Sequence, residues 1–64
     1  MADREFIEFI RVSADDPIVL TTWKSTYNVV VSRYNMMLIK GISTGRKQLL
    51  EQLQDLKKQI DQYE

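Results

Sequence analysis

The chain has 64 residues, no Cys and no His, and nine basic residues against nine acidic ones, so its formal net charge at pH 7 is zero. A chain this short holds one small domain, which buries only ~60% of the surface its unfolded form exposes. Disulfides are excluded and a structural metal loses its best side-chain ligands, which leaves oligomerisation as the usual reinforcement of so small a core.

The zero net charge hides a pattern. Residues 1 to 16 carry five acids against Arg4 and Arg11, a net of −3. From Pro17 to Leu50 there is no acid, and Lys24, Arg33, Lys40, Arg46 and Lys47 give +5. Glu51 to Glu64 has four acids against Lys57 and Lys58, a net of −2. Such runs are the solvated faces of separate helices, or else a basic middle that meets something negative. No stretch approaches ~20 uninterrupted apolar residues, which argues against a membrane span. The charged start Met1-Ala2-Asp3-Arg4-Glu5 does not follow the basic-then-apolar order of a signal peptide. The expected location is the cytoplasm, or the inside of a virus particle, without secretion.

In chain order, residues 1–13 place apolar residues at 6, 7, 9 and 10 with charges between them, and this spacing predicts a short amphipathic helix. Ser13-Ala14-Asp15-Asp16-Pro17 breaks it, because the residue before Pro is pushed out of the helical region. Asp16 is then expected to cap the next helix, with Pro17 at its first position.

Over residues 17–40 the apolar residues Leu20, Trp23, Tyr27, Val30, Tyr34 and Met37 form a heptad seam, widened by Val31 and Leu38. Gly41 suits a left-handed helix terminus. The alternative is a β-hairpin that turns at Ser32-Arg33-Tyr34-Asn35, favoured by β-branched Val29, Val30 and Val31 and by the off-seam positions of Val29, Met36 and Ile39. Over residues 44–63, Leu49, Leu53, Leu56, Ile60 and Tyr63 repeat at helical spacing among strong helix formers, with Ser43 or Thr44 as the expected cap. An isolated helix of that length is marginal in water, so its seam must lie against residues 17–40 or against another copy.

The residues that carry most catalysis are missing. Without His, a Ser or Thr nucleophile has no common base, and the carboxylate pairs Asp15/Asp16 and Glu5/Glu8 are accounted for by capping and solvation. Met36 to Leu50 shares the apolar-glycine-lysine order of a phosphate-binding loop, but Gly41 and Gly45 are one residue too close. Arg46 also intervenes before Lys47, and Gln48 stands where a hydroxyl should bind magnesium. A weaker anion contact remains at Arg46 and Lys47, two cations in the first turn of a helix, where the macrodipole disfavours them.

The sequence therefore predicts an all-α protein: a short N-terminal helix followed by an antiparallel helical hairpin that self-associates, with helix, β-hairpin, helix as the alternative. No enzyme activity and no cofactor are expected. The predicted role is that of a structural or adaptor subunit in a larger assembly, of which a virus particle is one kind. It would act through the interface residues Leu20, Trp23, Tyr27, Val30, Tyr34, Met37, Leu49, Leu53, Leu56 and Ile60. Acids such as Asp3, Glu5 and Glu8 of one chain would meet the basic middle of another. The alternatives are a nucleic-acid-associated protein that uses the basic middle, or a small regulator of a larger enzyme.

Overall fold

The computed structural model describes residues 6–63. Two helices, α1 (Ile18–Lys40) and α2 (Arg46–Tyr63), pack against each other. At ~1.5 Å per residue α1 is ~35 Å long, so it alone accounts for the longest dimension of the molecule, 37 Å. The central segment is one continuous helix, and the β-hairpin alternative is set aside. Val29, Met36 and Ile39, which suggested strands, lie on the exposed outer side of α1.

The chain turns back between the helices through two glycines. Gly41 takes φ 72°, its N–H bonds to the Leu38 carbonyl at 3.2 Å, and the Ile42 N–H bonds to the Met37 carbonyl at 2.9 Å. That pair of bonds is a Schellman closure. Ser43, Thr44, Gly45 and Arg46 then form a β-turn, with the Arg46 N–H on the Ser43 carbonyl at 3.1 Å and Gly45 at φ 82°. Such a turn needs a positive φ at its third residue, which glycine supplies without strain. α2 accordingly begins at Arg46 and not at residue 44. The Gly45 carbonyl accepts from the Leu49 N–H, and Ser43 contributes its carbonyl to the turn.

The centre of the core is Val30 and Val31 of α1 against Leu53 of α2, with Ile7, Tyr27, Tyr34, Leu49 and Leu56 packed around them. Leu20, Leu38 and Ile60 are also buried. Near the open end of the hairpin Trp23 meets Tyr63 edge to face, with ring centroids 5.7 Å apart at 84°, within the range in which such pairs are favourable. The start of α1 meeting the end of α2 establishes the antiparallel pairing.

The expected N-terminal helix is absent from residues 6–13, which run extended without helical bonds; residues 1–5 of that expectation lie outside the described part. Only Ile7 and Ile10 are half-buried, and their neighbours are exposed. The two inward positions are three apart, a spacing that this extended segment shares with a helix.

Two substitutions test this packing. Leu53→Asp places a carboxylate between Val30 and Val31 and should abolish cooperative thermal unfolding, whereas Gln54→Asp on the exposed flank should leave the melting curve nearly unchanged. Gly41→Ala has open space for its methyl, so its cost should be the left-handed conformation alone, ~1 to 2 kcal/mol by urea unfolding.

Candidate functional site: an asparagine-held strap and the outer face of the long helix

α1 exceeds what α2 covers on every side. At 100° per residue, the residues packed on α2 occupy roughly one third of its circumference. Beside them, on the next strip, stand Lys24, Asn28 and Asn35. Asn35 accepts the Ile7 N–H on Oδ1 at 3.0 Å and donates from Nδ2 to the Ile7 carbonyl at 3.0 Å. Asn28 does the same for Ile10, at 2.7 and 2.9 Å.

Residues 6–13 thus form a strap that runs antiparallel to α1. The register is dictated by geometry. Seven helical residues between the asparagines rise ~10.5 Å, and three extended residues between the isoleucines span ~10 Å. Side-chain amides take the place of the backbone partners that a helix or a sheet would provide, which satisfies main-chain groups that are partly withdrawn from water.

The strap joins α1 through a turn held by one carboxylate. Asp16 Oδ2 accepts the Ser13 N–H at 2.9 Å and forms an ion pair with Lys24 Nζ at 2.9 Å. Lys24 is only 6% exposed, so this pair is withdrawn from water. The Lys24 hydrogen bond, with the Ser13 N–H second, holds the Asp16 carboxyl below its usual pKa of 3.8. The expected roles of Asp16 and Pro17 are corrected accordingly: Pro17 is the N-cap residue, without a side-chain cap bond, and Ile18 is the first helical residue. Asp16 is committed to Lys24 and Ser13.

All the expected seam residues lie on the hairpin's inner side. Leu20, Val30, Leu53 and Ile60 are buried, while Trp23, Tyr27, Tyr34, Met37, Leu49 and Leu56 are half-buried. This seam closes the two helices of one chain on each other. The apolar surface that remains is elsewhere. Ile18, Val29 and Met36 fall within ~20° of one line along α1, and are 84%, 54% and 48% exposed. Ile39 is exposed on one flank of that line, and on the strap so are Phe6, Phe9 and Val12. Large apolar residues in such a run mark a contact surface more often than isolated ones do.

Arg46 and Lys47 come together at the start of α2, where with Tyr34, Ser43 and Leu50 they line a cleft of about 240 Å³. A larger open groove of about 520 Å³ lies between Tyr27 and Leu53 at its base and Lys57, Lys58 and Asp61 on the flank of α2. Lys57 pairs there with Asp61 at 3.0 Å. Among the described residues, no helix is long and apolar enough to cross a membrane.

Sequence reasoning missed Asn28 and Asn35. Their signal was present, because two poor helix formers stand seven residues apart in the middle of a helix, beside the seam. No protein-family model, curated protein or solved structure gives a significant match to the chain.

Asn35→Ala should release the Ile7 end of the strap, with faster exchange of the Ile7 amide proton and a loss of ~1 to 3 kcal/mol for the two hydrogen bonds. The Asp16 contribution has a definite sign. A depressed carboxyl pKa stabilises the fold above the unfolded value and ceases to do so as pH falls through the folded one. Acid unfolding should therefore include a component below pH 3.8 that Asp16→Asn removes; identical acid profiles for the two proteins would refute it.

Proposed function

We propose that this chain is a non-catalytic helical subunit or adaptor, which works by associating with copies of itself or with a protein partner within a larger assembly. The observation that carries this reading is the outer line of α1. Ile18, Val29 and Met36 face away from α2, with Ile39 beside them, although α2 supplies a complete apolar partner for the opposite face. A helix that is apolar on opposite sides suits a position between two partners, and here one partner is α2.

The charge beside the outer face is of one sign. Arg33 and Lys40 are the cations near that line and no acid accompanies them in α1. An incoming surface should be apolar with acidic edges. The N-terminal acids of a second copy, Glu8 among them, fit that description, with Asp3 and Glu5 of the same group outside the described residues.

Association should be visible by analytical ultracentrifugation as a mass above 7.6 kDa that rises with concentration. Val29→Lys and Met36→Lys alter exposed positions and should leave helicity intact while weakening association, by ~1.5 to 3 kcal/mol for each side chain fully covered. Moderate salt should have little effect, since exposed ion pairs contribute only ~0 to 1 kcal/mol each. A wild-type chain that stays monomeric to millimolar concentration overturns self-association. Steeply salt-dependent binding to duplex DNA, flattened by neutralising Arg46 and Lys47, would replace this reading with nucleic-acid binding.

A further inference from the structure

The strap is seated in its groove by contacts that do not depend on which molecule supplies it. Asn28 and Asn35 bond only to main-chain atoms of Ile7 and Ile10, and Ile7 adds an aliphatic side chain to the core around Val30, Val31 and Leu53. The occupant is thereby defined chemically: an extended segment with aliphatic residues three apart. The same segment on a neighbouring molecule meets that definition in full.

We propose that the Asn28 and Asn35 groove of one chain receives residues 7–10 of a second copy, so that two chains associate by exchanging N-terminal straps. This rests on the self-association proposed above and supplies its means. All four strap bonds are re-formed between chains, so the difference between the closed and exchanged forms is confined to the connecting residues 11–16. There the Asp16 N–H on the Ser13 carbonyl, the Ser13 N–H on Asp16 and the Asp15 N–H on Ser13 Oγ would open. Ser13 and Asp15 are exposed, and water replaces such bonds at little net loss.

The connection is also long enough. Six extended residues span up to ~20 Å, which exceeds the 17 to 18 Å thickness of the molecule that must be crossed to reach a neighbouring groove. The Asp16 and Lys24 pair fixes the point of departure and is kept in both forms. Phe6, Phe9 and Val12 are exposed on the strap, and exchange brings a second chain alongside them. Against this stands the tether, which keeps a strap at ~millimolar effective concentration over its own groove. Exchange should accordingly prevail at high concentration or when chains fold together, the usual condition for swapping identical elements.

The test uses the natural chain. Isotope-labelled and unlabelled protein are mixed in equal amounts, unfolded, refolded together at millimolar concentration and examined by isotope-filtered NMR, with sedimentation of the same sample. Exchange predicts cross-peaks from the side-chain amide protons of labelled Asn28 and Asn35 to Ile10 and Ile7 protons of the unlabelled chain, and a dimer mass. A dimer in which those contacts occur only within a chain overturns strap exchange and leaves association through the outer face of α1 standing. A monomer at that concentration overturns both.

Discussion

The packing of Val30 and Val31 against Leu53 is the contact on which the rest of the molecule depends, because it fixes which side of α1 is covered and so which sides are not. α2 carries its apolar residues along one side, Leu49, Leu53, Leu56 and Ile60 with Leu50 and Tyr63 at the margins, and its remaining positions are polar. It can therefore cover one strip of α1 and no more. α1 carries apolar residues on nearly every side, so once its inner strip is closed, two problems remain: the adjoining strip at Lys24, Asn28 and Asn35, and the outer line through Ile18, Val29 and Met36.

The first problem is solved within the chain. The adjoining strip is polar, and an amphipathic helix laid there would have met amides and an ammonium group with its apolar side. An extended strand presents main-chain donors and acceptors instead, which are what asparagine side chains bind best. The strap conformation therefore follows from what α1 offers, more than from any preference of residues 6–13. Both asparagines use donor and acceptor on one residue each, which fixes the register and leaves Phe6, Phe9 and Val12 outside. The second problem is left open by the chain, and it is the physical basis of the association proposed above.

The helices were legible because their signals are repeated. Five residues at alternating spacings of four and three define the α2 seam, and the α1 seam has six, so that one ambiguous residue changes nothing. Gly41 was legible for a different reason, since a glycine after a helical run has a specific conformational use. The strap was not legible. Apolar residues at 6, 7, 9 and 10 suit a helix as well as an extended segment with an inward period of three, and the deciding partners lie 18 and 28 residues away. Asp16 failed in the same way. Local rules make it a cap, and a buried ammonium eight residues on takes it instead. Long-range polar pairing leaves little trace in one sequence, whereas apolar periodicity leaves a strong one. The outer face of α1 was visible only as residues that did not fit the seam, and it took a continuous helix to turn those exceptions into a surface.

Asp16 also ties the two N-terminal features together. Its carboxylate closes the Ser13 turn that ends the strap, and it meets Lys24, which lies in the second turn of α1 on the strip the strap occupies. The 2.9 Å ion pair with Lys24, whose side chain is buried, holds Asp16 at the head of the helix. The turn to Ser13 has no such compulsion, being exposed and replaceable by water. The chain is therefore held at Asp16 by an ion pair and just before it only by an exposed turn, and the boundary falls at the start of α1. A strap attached through such a boundary can change the molecule it binds without disturbing the hairpin, which is the condition that strap exchange requires.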